Sequence, residues 1–202
     1  MKDSYIFLLG GVPGVGKTSI SGHIARELGI NIVISGDYVR EGLRPFFPED
    51  DVINMSVYDS WKRFGENNVT NLIKGFNEQG GMVNKSTSRI IKRAISNGEP
   101  MIIETLYFIP DDFRELLPDM CSAYLYIGDR ELHVNRLNQR QDFTHFNSPG
   151  SRLSQNITNY RHIMDYSIQE SDKYGIRKFD NENYLQTRDS LLEYARERMV
   201  KW

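Results

Sequence analysis

A glycine-rich segment near the start of the chain constrains the fold more than any other feature. Residues 10–18 read Gly-Gly-Val-Pro-Gly-Val-Gly-Lys-Thr and contain the pattern G-x-x-x-x-G-K-[ST]. An apolar run at residues 5–9 precedes this pattern, and apolar residues at helical spacing follow it as far as Gly29. Strand, glycine turn and helix therefore stand in the order that a phosphate-binding loop requires. We predict that the chain binds a nucleoside triphosphate.

The loop supplies several kinds of phosphate ligand. Its glycines let backbone N–H groups point inward, and the helix that begins at Lys17 adds the positive end of its dipole. The Lys17 ammonium can reach the outer phosphates, and the Thr18 hydroxyl can ligate an accompanying Mg²⁺. Asn181 follows the last apolar run, where a backbone loop could hold an adenine ring. The predicted nucleotide-binding residues are Gly11, Val12, Pro13, Gly14, Val15, Gly16, Lys17, Thr18, Ser19 and Asn181.

The charge balance argues against a nucleic-acid partner. The 202 residues include 25 Lys and Arg against 27 Asp and Glu, and no basic run stands out. Cys121 is the only cysteine, which excludes an intrachain disulfide and is typical of a reducing compartment. Because the sequence has neither a signal-peptide pattern nor an apolar run of membrane-spanning length, we expect a soluble, cytoplasmic protein without a membrane partner.

Short apolar runs that alternate with helical patterns predict the fold class. This alternation is typical of an α/β protein in which a five-stranded parallel sheet is flanked by helices. We predict one domain over residues 1–202, with a helical insertion on the substrate side at about 45–98 and a lid at about 136–155. Gly80-Gly81 is expected to break the helical pattern of the insertion. The five runs occupy residues 5–9, 31–34, 101–103, 123–127 and 176–179.

Three polar residues after the second run are candidates for binding the phosphoryl acceptor. Ligands of open α/β sheets bind beyond the carboxyl ends of the strands, which is where Asp37 lies. Its carboxylate could hold an acceptor hydroxyl and take its proton. Arg40 and Arg44 are four residues apart, so both face one side of a helix and could grip an anionic substrate. The alternative is an Asp37 that caps the helix beside two solvated arginines.

Glu104 comes directly after the third apolar run, and Tyr107 comes two residues after Thr105. A carboxylate at the end of a buried strand beside the phosphate loop can hold Mg²⁺ or its water shell. The alternative is a capping or surface glutamate. Tyr107 is close enough in sequence to Glu104 to be expected to touch the substrate.

Basic residues after the fourth run predict a lid. His133, Arg136 and Arg140 are spaced as one stripe of a helix, and Arg152 follows a polar loop at 142–151. Arginines on a closing flap can neutralise charge on a transferring phosphoryl group and exclude water. The alternative is a solvated basic helix face, and His133 alone is more typical of packing than of catalysis.

Six segments in this order resemble the archaeal 2-phosphoglycerate kinase family, a branch of the P-loop kinases related to nucleoside-monophosphate kinases. The likeness covers nearly the whole chain, and it implies ATP, Mg²⁺, a five-stranded parallel sheet and phosphorylation of 2-phosphoglycerate to 2,3-bisphosphoglycerate. The segments are Gly-Gly-Val-Pro-Gly-Val-Gly-Lys-Thr at 10–18, Val-Ile-Ser-Gly-Asp-Tyr-Val-Arg at 33–40, Ser-Val-Tyr-Asp-Ser-Trp at 56–61, Ile-Ile-Glu at 102–104, Asp-Arg-Glu-Leu-His at 129–133 and Tyr-Arg-His-Ile-Met-Asp-Tyr at 160–166.

The resemblance also implies roles for single residues. Lys17 and Thr18 would hold the ATP phosphates and Mg²⁺, and Asp37 would position the acceptor hydroxyl. Arg40 and Arg44 would bind the anionic groups of the acceptor, and Arg136, Arg140 and Arg152 would belong to the lid. We therefore expect Lys17, Asp37, Arg136 and Arg140 to be catalytic, Thr18 and Glu104 to bind metal, and Asp37, Arg40, Arg44, Tyr107 and Arg152 to bind substrate.

Two departures from the family pattern bear on the acceptor. Thr105-Leu106-Tyr107 follow Glu104 where the family has a small pair and a histidine, and Gly36 stands where a threonine is expected. A kinase of a nucleoside, a sugar nucleotide or another hydroxyl compound therefore stays open, as does an ATP-binding regulator that transfers no phosphate. The sequence leaves monomer and homodimer equally open.

Overall fold

The computed structural model describes residues 5–140 and 150–199, and over them the chain forms a five-stranded sheet. All strand pairs are parallel, and the strand order is β2-β3-β1-β4-β5. Each observed strand lies within two residues of a predicted run, so the predicted fold class is confirmed. The strands are β1 (Ile6–Gly10), β2 (Ile32–Ser35), β3 (Met101–Thr105), β4 (Cys121–Tyr126) and β5 (Arg177–Asp180).

The two central strands are buried on both faces. Every residue of β1 and β3 is buried, and Leu8 of β1 pairs with Ile103 of β3 and with Ser122 of β4. Strands covered on both faces have no solvent side, which is why their sequences read as continuous apolar runs. Cys121 begins β4 with its thiol buried.

Helices cover the sheet and connect its strands. The helix α1 (Lys17–Leu28) packs against β3 and against the last helix, α7 (Tyr184–Met199). The helix α6 (Ile157–Lys173) packs against β4, β5 and α3 (Val69–Asn97). None of the helices within 5–140 and 150–199 is long and apolar enough to cross a membrane. The helices are α1 (Lys17–Leu28), α2 (Gly36–Leu43), α3 (Val69–Asn97), α4 (Arg130–Asn138), α5 (Gly150–Ser154), α6 (Ile157–Lys173) and α7 (Tyr184–Met199). Short 3₁₀ helices lie at Arg44–Phe46, Val52–Asn54, Val57–Arg63, Pro110–Phe113 and Leu117–Asp119.

The expected break at Gly80-Gly81 is wrong, because α3 runs unbroken through both glycines. A Cβ atom on Gly80 would lie 2.5 Å from Cδ1 of Ile109, so this glycine permits close packing rather than ending the helix. Each glycine costs a helix about 1 kcal/mol relative to alanine, which the packing of α3 offsets. Within the predicted insertion at about 45–98, the long helix begins only at Val69, after two 3₁₀ helices at Val52–Asn54 and Val57–Arg63.

The end of α3 follows the prediction. Gly98 adopts a left-handed conformation with φ 68°, and its N–H bonds the carbonyl oxygens of Ala94 and Ile95. The aromatic residues Tyr58 and Phe76 of this region are buried and belong to the hydrophobic core. The division into insertion and lid stays a prediction, since residues 141–149 of the lid lie outside the described part.

Candidate active site

The phosphate-binding loop connects β1 to α1, and its glycines permit its curvature. Gly14 and Gly16 have φ values of 83° and 94°, in the region that side chains disfavour. The side chains of Val12 and Val15 are fully buried in the hydrophobic core, which anchors the loop. The Lys17 ammonium reaches back to bond the Val12 carbonyl oxygen at 3.1 Å. The loop amides and the Lys17 ammonium therefore face the same space, as an anion site requires.

Two buried polar side chains support the loop from outside. Nε2 of His133 in α4 lies 2.8 Å from the carbonyl oxygen of Pro13. The Asn181 side chain, which follows β5, donates from Nδ2 to the Val15 carbonyl oxygen at 2.8 Å. Both side chains have zero exposure. The loop is therefore held by hydrogen bonds to its own carbonyl groups, which leaves the amides that follow Gly11 for a ligand.

A cavity of about 790 Å³ opens in front of the loop. The carboxyl ends of β2 and β3, the first turn of α2, the end of α4 and the start of α7 complete its wall. Ten of the predicted site residues line it: Pro13, Gly14, Gly16, Lys17, Thr18, Ser19, Asp37, Glu104, Arg136 and Arg140. The topology thus brings the ten predicted residues to one cavity, although the first of them, Pro13, and the last, Arg140, are 127 positions apart in the chain.

Thr18 and Glu104 are in contact in the wall of this cavity. The Thr18 hydroxyl lies 3.0 Å from each carboxylate oxygen of Glu104, which is only 7% exposed. Hydroxyl and carboxylate oxygens are the ligand types that Mg²⁺ prefers. The two residues therefore fit a magnesium site beside the phosphate loop.

Charges of both signs converge on the cavity. Burial lowers the pKa of Lys17, against the opposing effects of Glu104 and Asp37, and Arg140 lowers it further. Burial also lowers the pKa of Arg136 and of Arg140, and the negative charge of Asp37 partly offsets this effect by raising the pKa of Arg140. Cations that have lost part of their hydration gain most from a bound anion. The site is therefore suited to a polyphosphate.

Asp37 lies in the first turn of α2 and lines the cavity. Ser35 caps this helix, since its Oγ accepts from the Asp37 N–H at 3.3 Å. The alternative in which Asp37 caps α2 therefore does not apply. Its carboxylate is left to interact across the cavity with the cations that face it.

Comparison with known proteins finds kinases. The chain is 47% identical over 192 residues to the mevalonate-3-phosphate 5-kinase of Thermoplasma acidophilum, and 95% of each protein is covered. It is 27% identical over 206 residues to the 2-phosphoglycerate kinase of Methanopyrus kandleri, of which it spans 63%. The chain belongs to the family of this mevalonate-3-phosphate 5-kinase, and it is related to the archaeal 2-phosphoglycerate kinases. These relatives confirm the resemblance that the sequence motifs indicated. A separate comparison with models of protein families found no match to the chain.

Solved structures of other kinases share this fold. Shikimate kinase from Acinetobacter baumannii, in complex with shikimate, superposes with a TM-score of 0.58 at 15% identity, covering 99% of this chain and 95% of that one. A Chloroflexus aurantiacus protein superposes with a TM-score of 0.53 at 14% identity, with coverage of 100% and 98%. The expectation of a phosphotransferase with an alcohol group as acceptor is confirmed by the kinase relatives.

Arg40 and Arg44 are placed differently from the expectation for this kinase. The Arg40 guanidinium bonds the carbonyl oxygens of Ile53, at 2.9 Å, and of Met55. Arg44 bonds Oδ1 of Asn54 at 2.9 Å. Neither arginine lines the cavity, because both hold residues 53–55 against α2. Arg40 and Arg44 are therefore not part of the substrate site that the cavity forms.

Tyr107 and Arg152 also lie outside the cavity lining. Tyr107 is fully buried, and its hydroxyl donates to Oε1 of Gln79 at 2.8 Å. Gln79 in turn donates to the carbonyl oxygens of Val52 and Met55. Arg152 is exposed on α5, just beyond the undescribed part of the lid. The predicted nucleotide-binding residues Gly11, Val12, Val15 and Asn181 are buried behind the cavity-lining part of the loop.

Seven cavity residues were not among the predicted site residues, although Thr105 and Leu106 were noted as a departure from the family pattern that bears on the acceptor. Ser35 ends a strand, so inspection of each strand end was a signal that could have found it. The sequence carries no comparable signal for the others, whose positions depend on how helices pack. The seven are Ser35, Tyr38, Glu41, Thr105, Leu106, Gln139 and Tyr184.

Proposed function

We propose that this kinase transfers the γ-phosphoryl group of ATP to the 5-hydroxyl of mevalonate 3-phosphate. The observation that carries the proposal is the 47% identity to a mevalonate-3-phosphate 5-kinase across 95% of both chains. The 2-phosphoglycerate kinase relatives are 26–29% identical, which supports that acceptor less strongly.

The cavity supports phosphoryl transfer to a hydroxyl group. Lys17 and Arg140 place positive charge where the γ-phosphoryl group would pass, and Arg136 adds a third cation. Such charges stabilise the negative oxygens of the transition state. We assign Asp37 to the acceptor hydroxyl, whose proton its carboxylate would accept as the new P–O bond forms.

The residues present fit a magnesium ion between the phosphate loop and β3. Thr18 and Glu104 would hold it, directly or through water, with their oxygen atoms 3.0 Å apart. When bound, Mg²⁺ supplies positive charge to the ATP phosphates. The chain itself orients these oxygens, because Glu104 is the second-last residue of a fully buried strand and Thr18 lies in the first turn of α1.

The acceptor end of the cavity favours a substrate with apolar groups. Leu106 and Tyr38 line it, and the Tyr38 ring is 80% exposed at its mouth. Mevalonate 3-phosphate carries a methyl group and methylene groups that such a surface can cover, whereas 2-phosphoglycerate is shorter and has no methyl group.

2-Phosphoglycerate remains the second candidate, because the chain shares six motifs with that family and is 27% identical to the Methanopyrus kandleri enzyme. The departures from the family pattern at Gly36 and Thr105 lie at the acceptor end, which favours a different substrate. A nucleoside or sugar-nucleotide acceptor and a non-catalytic regulator are tested by the same experiment.

The experiment is a coupled assay of ATP consumption with Mg²⁺ and each acceptor in turn. The acceptors are mevalonate 3-phosphate, mevalonate, 2-phosphoglycerate, 3-phosphoglycerate, glycerate and a nucleoside panel, with Lys17→Met as the blank. We expect turnover with mevalonate 3-phosphate and a product whose new phosphorus signal couples to a CH₂ group in ³¹P NMR. Asp37→Asn is expected to lower kcat by two orders of magnitude or more with little change in the KM for ATP.

Each outcome assigns the activity. Faster turnover of 2-phosphoglycerate would replace the proposed acceptor by the second candidate. ATP binding without consumption on any acceptor would favour the regulator. Unchanged turnover in Asp37→Asn would remove Asp37 from the acceptor site while keeping the kinase.

A further inference from the structure

Gly36 and Thr105 touch across the acceptor end of the cavity. A Cβ atom on Gly36 would lie 2.5 Å from Oγ1 and 3.0 Å from Cβ of Thr105. Gly36 begins α2 and does not have a positive φ, so its backbone does not require glycine. The missing side chain therefore serves to make room for Thr105.

The Thr105 side chain occupies a fixed position at this end of the cavity. It is 2% exposed, and its Oγ1 accepts a hydrogen bond from the Tyr107 N–H at 2.9 Å. Its carbonyl oxygen accepts from the Gly11 N–H at 3.1 Å. Thr105 is thus bound to the phosphate loop by its backbone and faces α2 with its side chain.

The hydroxyl proton of Thr105 is available to a ligand. A threonine hydroxyl has one proton to donate, and among residues 5–140 and 150–199 no acceptor for it is found. Thr105 is a lining residue of the cavity, and a hydroxyl that already accepts one bond can donate its proton to an oxygen atom that enters there. Asp37 stands in the same helical turn as Gly36, so that oxygen would belong to the acceptor.

The arginines that were expected to hold the acceptor's anionic groups are engaged elsewhere. Arg40 and Arg44 bond residues 53–55, at 2.9 Å from the Ile53 carbonyl oxygen and from Asn54 Oδ1. Arg44 is also paired with Glu41, at 2.8 Å from its Oε2. An anionic acceptor therefore needs other donors at this end of the cavity, where Asp37 adds negative charge. A neutral hydroxyl donor meets that need.

We infer that Thr105 determines acceptor specificity by donating a hydrogen bond to an anionic oxygen of the acceptor, and that Gly36 provides the space for it. The oxygen is one of a carboxylate or phosphate group, not the hydroxyl oxygen that attacks phosphorus. The inference rests on the proposed function only in taking the acceptor to be an anionic metabolite bound beside Asp37.

The test compares Thr105→Val, which keeps the shape and removes the hydroxyl, with Thr105→Ser, which keeps the hydroxyl. With mevalonate 3-phosphate we expect Thr105→Val to raise the acceptor KM about tenfold or more and to change the ATP KM less than twofold. Thr105→Ser is expected to stay within about threefold of the wild-type acceptor KM. Thr87→Val removes another buried threonine hydroxyl, one that donates to Val83, and is the control for general loss of stability.

Gly36→Ala tests the shared space. It is expected to raise the acceptor KM severalfold in the wild-type background and to have a clearly smaller effect in the Thr105→Ala background, where Oγ1 at 2.5 Å is absent and Cβ at 3.0 Å remains. Equal effects of Gly36→Ala in both backgrounds, or an unchanged acceptor KM in Thr105→Val, would overturn the inference. If the wild-type protein does not turn over mevalonate 3-phosphate, the proposed function fails, and the same variants are compared on the panel acceptor with the fastest turnover.

Discussion

Nε2 of the His133 ring lies 2.8 Å from the carbonyl oxygen of Pro13, which joins the predicted lid helix α4 to the tip of the phosphate loop. A Cβ atom on Gly14 would lie 2.7 Å from Leu137 of the same helix, so the two elements pack with no space between them. Nε2 donates to a carbonyl oxygen, whereas Nδ1 has no partner among the described residues. Because burial lowers the pKa of His133, the ring is neutral and Nδ1 carries no proton. His133 therefore belongs to the support of the loop as a neutral side chain.

The neutral state of His133 predicts a dependence of stability on pH. Burial lowers its pKa, and the nearby cations Arg161, Lys17 and Arg136 act in the same direction. The unfolded chain therefore binds a proton more readily, so the contribution of His133 is complete above about pH 6.5 and is lost as pH falls through its lower folded-state pKa. We expect His133→Gln, which keeps a donor but does not titrate, to lose less stability than the wild type between pH 7.5 and 5.5, by urea unfolding. An equal loss of unfolding free energy in the wild type and in His133→Gln over this pH range would contradict the prediction.

Asn181→Ala should weaken the loop from the other side. The Asn181 amide donates to the Val15 carbonyl oxygen at 2.8 Å, and its loss leaves a buried carbonyl unpaired. We expect a decrease of about 1–3 kcal/mol in the free energy of unfolding and a severalfold increase in the ATP KM. Asn31→Ala, an exposed position before β2, is the matched control and should change neither quantity. A loss of stability with an unchanged ATP KM would show that the loop does not depend on this bond.

Glu104→Gln should change the magnesium requirement. The substitution keeps the size of the side chain and removes the charge that faces the Thr18 hydroxyl at 3.0 Å. We expect the Mg²⁺ concentration that gives half-maximal activity to rise about tenfold or more, measured at saturating ATP. Glu115→Gln, whose side chain is 87% exposed, serves as the control. An unchanged Mg²⁺ titration would remove Glu104 from the metal site.

Two glycines of α3 should respond to alanine in opposite directions. A Cβ atom on Gly75 would lie 2.4 Å from the Ser60 carbonyl oxygen, whereas Gly81 has no atom within 4 Å of that position. Gly75→Ala is expected to destabilise the protein by about 1–3 kcal/mol through overpacking. Gly81→Ala is expected to stabilise it by about 0.5–1 kcal/mol through helix propensity. Urea unfolding measures both, and a destabilised Gly81→Ala would contradict the packing seen around α3.

The sequence was informative wherever a local pattern determines the structure. The loop at 10–18 and the ends of the buried strands predicted the sheet and most of the cavity, because glycine conformation and strand burial are local properties. Arg40 was misplaced because its partners, the carbonyl oxygens of Ile53 and Met55, come from a separate turn. The contact of Gly36 with Thr105 joins two strand ends and cannot be read from either segment alone.

Labelling of the single, buried cysteine can measure how often the folded protein opens. Cys121 is 1% exposed at the start of β4, and burial raises the pKa of its thiol to about 11. A thiol reagent therefore reacts only with molecules in which the sheet has opened, and the labelling rate counts those openings. Because a ligand that binds only the closed form suppresses them by mass action, labelling in the presence of each candidate acceptor ranks their affinities without any turnover.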